Sequence, residues 1–207
     1  MPGFPSPFGR DEEELFDEYE KFVPENIPSP DRFLEGHDVL EGRDHIEFHR
    51  TAQEVFEERK VYDMTFNYNL ARLNLDTRHP NAGYRYAEED PTAEDAMVDA
   101  DLEAVLRAEF TPTTPFCPQT HTLTIGSFRA WNGLSDRHDY DLVRVRSSPM
   151  HHQSEAINEQ LAELEEKFVE SGDEMVSPQE GSRVGSNPME RAKRNERPSR
   201  GSSDAPF

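Results

Sequence analysis

The apolar residues of two segments recur at helical spacing. In residues 154–171 the large apolar side chains are separated by four, three and four positions, and Gly172 follows as a natural helix stop. Residues 45–63 show a similar pattern, and His45 and His49 lie four positions apart within them. Both segments are predicted to be helices, and the two histidines are expected on a partly exposed side of the first.

Alternation of apolar and polar residues predicts strands in two further segments. Residues 65–76 alternate through most of their length, and residues 139–147 alternate with Arg144 and Arg146 on the outward side. The second segment is therefore expected to be a half-exposed strand. Residues 77–101 contain several turn signals and many acids, and they are predicted to form a long loop.

The patterns on either side of Cys117 leave two structures open. Residues 102–111 fit a helix by propensity, and they fit equally well a strand that ends in a loop. Residues 120–125, THTLTI, alternate and are β-branched, which favours a strand. In contrast, Pro118 is well placed as the first residue of a helix.

Composition limits the size of the folded part. The chain has 207 residues, of which 33% are hydrophobic, and its mean hydropathy is -0.92. A compact core of roughly 100 to 130 residues is expected, near the common domain size. Residues 1–44 are predicted to be an acidic, proline-rich N-terminal extension with a short helix at 11–23. Residues 172–207 have almost no large apolar side chains, so a disordered tail is predicted.

Charge gives an expectation about the solvent. The chain carries 43 Asp and Glu against 22 Lys and Arg, a net charge of -21. Such a chain repels itself at low salt, whereas at molar salt the Debye length falls to about 3 Å. We therefore expect a cytoplasmic protein of a salt-accumulating halophile. No apolar run approaches the roughly 20 residues of a membrane span, and no basic footprint for nucleic acid is evident.

A single cysteine narrows the chemistry. Cys117 excludes an intramolecular disulfide and any zinc motif built on cysteine pairs. If a helix begins at Pro118, Cys117 lies at its N-cap, where backbone N–H groups and the helix dipole stabilise a thiolate. His121 would then lie one turn along on the same side. From the residues alone, a packed and unreactive thiol is an equally good interpretation.

The segment around Cys117 resembles a known family. FTPTTPFCPQTHTLTIGSFRAW, followed by a strand and by PMHHQSEAINEQLAE, is similar to the SufT-like iron–sulfur cluster assembly domain, which bacterial SufT shares with the eukaryotic cytosolic iron–sulfur targeting factor. The likeness, to a member of haloarchaeal type, covers residues 103–171. It is carried by Thr111, Pro112, Thr113, Pro115, Cys117, Ile125, Gly126, Arg129, Pro149, His151, Ile157, Asn158, Gln160 and Leu161.

The resemblance implies an α/β (α+β) domain over residues 45–171, with a mixed sheet packed by two or three helices and a helix after Cys117. It implies that Cys117 is a reactive thiol that handles iron–sulfur clusters or delivers them to apoproteins, without being an enzyme. The residues that shape its loop would be Thr111, Pro112, Thr113, Pro115 and Pro118, and the accessory residues would be His121, His151 and Asn158.

The number of ligands that a cluster needs implies a partner. Clusters normally take four protein ligands, so Cys117 would hold one only transiently, together with a second subunit, a client or a nearby ligand such as His121. The expected partners are an assembly scaffold, an apoprotein client or a second copy in a homodimer. Two alternatives stay open: a thiol enzyme with Cys117 as nucleophile and His121 or His151 as base, and an interaction adaptor in which Cys117 is only packed.

The chain also departs from the family. Its nearest counterpart to the family's Asp-Pro-Glu turn is Asp90-Pro91-Thr92, within an acidic stretch. The basic residues that usually follow the Gln-Leu pair are replaced by residues 162–166, AELEE. These departures bear on partner contacts rather than on the fold.

Overall fold

The computed structural model describes residues 26–96 and 102–172. Within them the helices and strands, in chain order, are β1 (Asp38–Val39), α1 (Gly42–Arg59), β2 (Tyr62–Asp63), β3 (Tyr68–Asn69), β4 (Gly83–Glu88), β5 (Val105–Thr111), α2 (Thr120–Asn132), β6 (Leu142–Ser147) and α3 (Ser154–Ser171). Short 3-10 helices occupy Leu70–Leu75 and Ser135–Arg137. The predicted α/β class, with a mixed sheet and packed helices, is confirmed.

The main sheet has the strand order β1-β4-β5-β6. β4 and β5 are antiparallel, from the pair Gly83 and Thr111 to the pair Glu88 and Leu106. β5 and β6 are parallel, with Phe110 opposite Ser147 at their ends, and α2 is the crossover between them. Because the two strands are parallel, the loops that leave their carboxyl ends emerge at the same edge of the sheet.

One side of the sheet carries the apolar core. Trp131 of α2 is fully buried, with ring centroids 4.7 Å from Phe56 of α1 and 5.0 Å from Tyr84 of β4. Trp131 is therefore a residue of the core. The buried residues of the strands on this side alternate with those on the other, as the pleat of a sheet requires.

The opposite side of the sheet carries buried charges. In register on β4, β5 and β6 it presents Arg85, Arg107, Glu109, Arg144 and Arg146. The predicted half-exposure of β6 is therefore wrong, since the side chain of Arg144 is only 4% exposed.

This charged side is buried because the chain preceding β1 lies across it. The ring of Phe33 lies 4.9 Å from the guanidinium of Arg107 and 5.4 Å from that of Arg146. Leu34 is completely buried, and the backbone N–H of Asp31 donates to Glu109 Oε1 at 3.1 Å. Residues 26–39, which fall within the segment predicted as an extension, thus contribute packing and an edge strand to the sheet.

A chain of ion pairs runs across this side. Arg107 contacts Asp95 and Glu89, each at 2.7 Å, and Glu89 also contacts Arg144 at 3.2 Å. Glu165 of α3 forms ion pairs with Arg144 at 2.5 Å and with Arg146 at 3.0 Å. Glu89 and Glu165 are almost fully buried, so these two carboxylates are shared among the three arginines, and Arg107 has the half-exposed Asp95 as a further partner.

Helix α1 differs from its prediction in position and in burial. It begins at Gly42 and ends at Arg59, because Lys60 adopts a left-handed conformation with φ of 59° and its N–H bonds to the carbonyl of Phe56. His45 and His49 are both completely buried, so the expected partly exposed side is wrong.

The ring of His49 has a defined set of hydrogen bonds. Its Nε2 donates to the carbonyl of Ala71 at 2.8 Å, and its Nδ1 accepts from the hydroxyl of Tyr86 at 2.8 Å. The ring of His45 stacks on that of His49 at 5.7 Å between centroids. The two histidines are therefore parts of the core.

The predicted strand at 65–76 is largely wrong, and the predicted loop at 77–101 is wrong over Gly83–Glu88. Only Tyr68–Asn69 is a strand, and Leu70–Leu75 form a 3-10 helix whose first turn is capped by Asn69. Within 77–101, β4 is a central strand of the sheet. The glycine of the predicted loop, Gly83, is the first residue of the strand, where it adopts a φ of +113°. Residues 77–82 and 89–96 are turns and irregular backbone, and residues 97–101 lie outside the described residues.

Two ambiguous segments are resolved. Residues 102–111 form strand β5 from Val105 onwards, and the segment after Cys117 is helix α2. Helix α3 matches its prediction: it ends at Ser171, and Gly172 is its left-handed C-cap, with φ of 66°. The predicted helix at 11–23 and residues 173–207 of the predicted tail lie outside the described residues. Nowhere in the described residues is a helix both long and apolar enough to span a bilayer.

Candidate functional site

Cys117 lies between two proline-led turns in the loop from β5 to α2. In the first turn its N–H bonds to the carbonyl of Thr114 at 3.3 Å, with Pro115 at the second position. In the next turn its carbonyl accepts the N–H of Thr120 at 3.4 Å, again with a proline, Pro118, at the second position. Proline favours this position because its fixed φ matches that of the turn. The side chain of Cys117 is partly exposed.

The predicted helix start at Pro118 is wrong. Helix α2 begins at Thr120 and Gln119 is its N-cap, so Cys117 precedes the cap by two residues. The reason is local, because Pro118 serves the second turn and the helix can begin only when that turn is complete. The proposed N-cap position of the thiol is therefore not present.

His151 holds the loop from the neighbouring segment. Its ring is buried, and Nε2 donates to the carbonyl of Cys117 at 3.1 Å. Nδ1 accepts the N–H of Gln153 at 3.3 Å, which completes the bonding of a neutral imidazole. Burial lowers the pKa of His151, against a smaller opposing effect of the bond to the Cys117 carbonyl. His151 is thus an anchor for the loop backbone.

His152 adds a second anchor. Its backbone N–H and its ring Nδ1 both donate to the carbonyl of Pro115, at 3.0 and 2.8 Å. Its ring lies 4.9 Å from that of Phe116, whose side chain is 71% exposed. The loop from β5 and the segment after β6 are adjacent because both leave carboxyl ends of parallel strands, the usual place for sites in such sheets.

Gln119 ties the same loop to the turn between β2 and β3. Its Oε1 accepts the N–H of Met64 at 3.0 Å, and its Nε2 donates to Thr65 Oγ1 at 2.6 Å and to Asp63 Oδ1 at 3.4 Å. Sequence reasoning missed this residue. No periodicity or spacing links positions 119 and 64, so only the folded structure shows the contact.

The other predicted residues have structural positions. His121 Nε2 is bonded to Gln160 Oε1 on α3 at 2.6 Å, so its ring is held against that helix. Asn158 bonds through its amide to both the N–H and the carbonyl of Ser147, at 2.7 and 2.9 Å, and so joins α3 to the end of β6.

The predicted loop-shaping residues follow the path from sheet to thiol. Thr111 is the last residue of β5, and Pro112 is buried beneath the start of the loop. Thr113 is partly buried, whereas Pro115 and Pro118 are exposed at the two turns. The structure therefore brings together Cys117, Pro115, Pro118 and His151, and it places His121 and Asn158 on contacts with α3 and β6.

The described residues offer no ready-made metal centre. Among residues 26–96 and 102–172, no group of three or more histidine, cysteine or acidic side chains is arranged to hold a metal ion. Chemically, the site presents one partly exposed thiol on a loop whose backbone is held from both sides.

Replacing Gln119 tests how the loop is held. Gln119→Ala removes the contacts to the β2–β3 turn, and we expect the free energy of unfolding to fall by about 1–2 kcal/mol. Hydrogen exchange of the Met64 amide should become faster. Gln153, whose side chain makes no capping bond to α3, provides the control. Gln153→Ala should lower the free energy of unfolding by less than about 0.5 kcal/mol. Equal losses of stability in Gln119→Ala and Gln153→Ala would contradict the anchoring role of Gln119.

The fold and the site define a small α/β protein with a single thiol at the edge where two parallel strands end. A family model described as a domain of unknown function, DUF7998, matches residues 14–175. The chain belongs to that family. A comparison with curated proteins finds no significant match.

Proposed function

We propose that the protein is an iron–sulfur cluster assembly or delivery factor in which the thiol of Cys117 handles the cluster. The observation that carries the proposal is the loop itself. The cysteine is partly exposed, and its backbone is held by two proline-led turns and by the ring of His151. A fold that only needed a small apolar side chain here would have no reason to present it at the surface.

The order of elements supports the SufT-like resemblance. That pattern has a strand running into the cysteine loop, then a helix, a second strand, a histidine segment and a final helix. The chain follows it with β5, the Cys117 loop, α2, β6, His151 and α3. The order is an argument for the family likeness, and the cluster role remains the proposal drawn from it.

Because Cys117 supplies a single thiolate, it can hold a cluster only together with ligands from elsewhere. Clusters normally take four protein ligands, and Cys117 can supply one. Passage is then a ligand exchange: Cys117 loses its proton to solvent, and Sγ displaces one thiolate of the donor from an iron. A thiolate of the client later displaces Sγ from that iron, and each displaced thiolate takes a proton from solvent. No electron is transferred in this exchange. The remaining ligands come from a scaffold, from the client or from a second copy of the chain.

The alternative of a thiol enzyme has weaker support. A general base for Cys117 needs a ring nitrogen with a lone pair directed at the thiol. His151 Nε2 carries a proton that it donates to the Cys117 carbonyl, and His121 is bonded to Gln160. We therefore propose a carrier or adaptor rather than a catalyst, located in the cytoplasm of a salt-accumulating cell.

The test replaces the thiol in the cell. In a strain that expresses Cys117→Ser in place of the native chain, we expect aconitase activity under iron limitation to fall to the level of a deletion strain. Serine preserves the size of the side chain but binds iron weakly. The free energy of unfolding of purified Cys117→Ser should differ from that of the native protein by less than about 1 kcal/mol, because the thiol is partly exposed.

A matched variant separates chemistry from folding. Gln153→Ala changes an exposed neighbour of the site and should leave aconitase activity at the native level. If the deletion strain is impaired while Cys117→Ser supports full aconitase activity, the proposed role of the thiol is wrong. If the deletion strain itself has normal activity, the chain has no part in cluster supply.

A further inference from the structure

Exposed apolar side chains gather around the cysteine loop. Among the described residues, four large apolar side chains are exposed: Met64, Phe116, Met150 and Val169. The first three belong to segments that hydrogen-bond to the loop. Phe116 precedes the cysteine, the N–H of Met64 bonds to Gln119, and Met150 adjoins His151. We call Met64, Phe116 and Met150 the apolar patch. Clustered exposed apolar surface marks interaction sites on soluble proteins.

Two of the three segments that carry the patch contain no acids, and Asp63, the acid beside Met64, is buried and bonded to Gln119. No Asp or Glu occurs in residues 110–135 or in residues 142–154. At the chain average of 43 acids in 207 residues, these two segments together would carry about eight. Burial alone does not explain their absence, because exposed and partly exposed positions of α2 are neutral or basic, whereas α1 carries five acids and α3 six.

From these two observations we infer that the apolar patch is the docking face for an acidic apoprotein. The inference rests on the proposed function, since it names the partner that would meet Cys117. Like charges placed opposite one another cost several kcal/mol at an interface. Since the segments of Phe116 and Met150 carry no acids and Asp63 is buried, the patch opposes an acidic partner with less negative charge than the rest of a chain of net charge -21 does.

The chemistry of the patch points to a protein surface. Two flexible methionines and one aromatic ring form an adaptable apolar contact, a composition typical of interfaces that accept several partners. His152, whose ring lies against Phe116, adds a polar group without negative charge at the edge of the patch. The expected partner therefore presents an apolar centre with acids around it, placed so that its own ligands reach the Cys117 thiol.

The experiment uses an acidic apo-ferredoxin as the probe and the full-length chain. Binding is measured by calorimetry at 0.2 M and at 2 M KCl. We expect Phe116→Ala to weaken binding at least tenfold at both salt concentrations, because it removes an apolar contact. Met150→Asp should weaken binding at least tenfold at 0.2 M and by a smaller factor at 2 M, because salt screens the new repulsion.

Val169 provides the matched control. It is as exposed as Met150, at 39% against 38%, and it lies near the far end of α3. Val169→Asp should therefore change binding by less than twofold. Equal weakening by Val169→Asp and Met150→Asp would overturn the inference, as would the absence of saturable binding to the apo-ferredoxin. Self-association that Met150→Asp abolishes would assign the face to a second copy instead.

Cys117→Ser separates this inference from the proposed function. It leaves the patch in place, so it should bind the apo-ferredoxin within twofold of the native chain. Retained binding with normal aconitase activity in cells would overturn the cluster role and leave the docking face standing. If Cys117→Ser loses aconitase activity in cells and the native chain does not bind the apo-ferredoxin, the docking face is overturned and the cluster role stands.

Discussion

Glu165→Ala should destabilise the protein by about 3–5 kcal/mol, the cost of leaving a buried charge without its partner. Glu165 lies in α3, and its carboxylate accepts Arg144 at 2.5 Å and Arg146 at 3.0 Å. The side chains of Glu165 and Arg144 are only 3% and 4% exposed, so water cannot replace the lost carboxylate. Chemical denaturation at constant salt measures the effect.

The next residue of the helix supplies the control. Glu166 is exposed, so Glu166→Ala removes the same charge from the same turn without uncovering a buried arginine. We expect it to change the free energy of unfolding by less than about 0.5 kcal/mol. If the two alanine variants were equally stable, the buried ion pairs would contribute nothing, and total charge alone would determine stability.

Mild acid should destabilise the fold through the two core histidines. Burial lowers the pKa of His49 to about 4 and that of His45 to about 2, with smaller effects on His45 from nearby His49 and Arg85. In the unfolded chain both titrate near 6.5. Below pH 6.5 the unfolded chain therefore binds two protons that the folded protein does not, and each removes about 1.4 kcal/mol of stability per pH unit.

Glu109 has the opposite effect on the pH dependence of stability. Burial raises its pKa from 4.5 to about 7, so the folded protein holds a proton between these values that the unfolded chain has lost. Its contribution to stability is lost as the pH rises through this range and recovered as the pH falls. Between pH 6 and pH 4.5, Glu109 thus offsets about one of the two histidine protons, so these three groups together remove about 1.4 kcal/mol of stability per pH unit. Burial also lowers the pKa of His138 and of His151, which adds to the loss in acid.

Two variants separate these opposing groups. His45→Phe keeps the aromatic stacking and removes one titrating ring, so the slope of unfolding free energy against pH should fall by about 1.4 kcal/mol per unit. Glu109→Gln should steepen the slope by the same amount and make the protein more stable at pH 8. Denaturation curves at several pH values measure both slopes. Slopes identical to that of the native protein would show that neither group is sealed from water.

Periodicity predicted the elements that bury a single face. Helix α3 matches its prediction because one apolar side packs and the opposite side carries acids in solvent. β4 was missed because both of its sides are largely buried: aromatic rings lie on one side, and Arg85, whose side chain is 11% exposed, lies on the other. Glycine and asparagine at its start resemble a loop, whereas Asn74 bonds to both the N–H and the carbonyl of Tyr84 and so makes that start part of the core.

The sequence predicted the cysteine at the candidate site but not the residues that hold its loop. A lone cysteine between prolines is visible in the sequence, and so is the histidine segment that the resemblance aligned with it. The bond from His151 to the Cys117 carbonyl and the contacts of Gln119 depend on how distant loops meet. The N-cap position of the thiol was wrong because local propensity cannot distinguish a proline that starts a helix from one that starts a turn.

The two histidine anchors of the cysteine loop imply a delay during synthesis. His151 and His152 lie 34 and 37 positions after their partners in the loop, so on the ribosome Cys117 is made well before they are. At about 5–20 residues per second, the nascent loop waits several seconds for them. Through that interval the thiol is attached to an unanchored segment, and oxidants and metal ions meet it before the fold controls its surroundings.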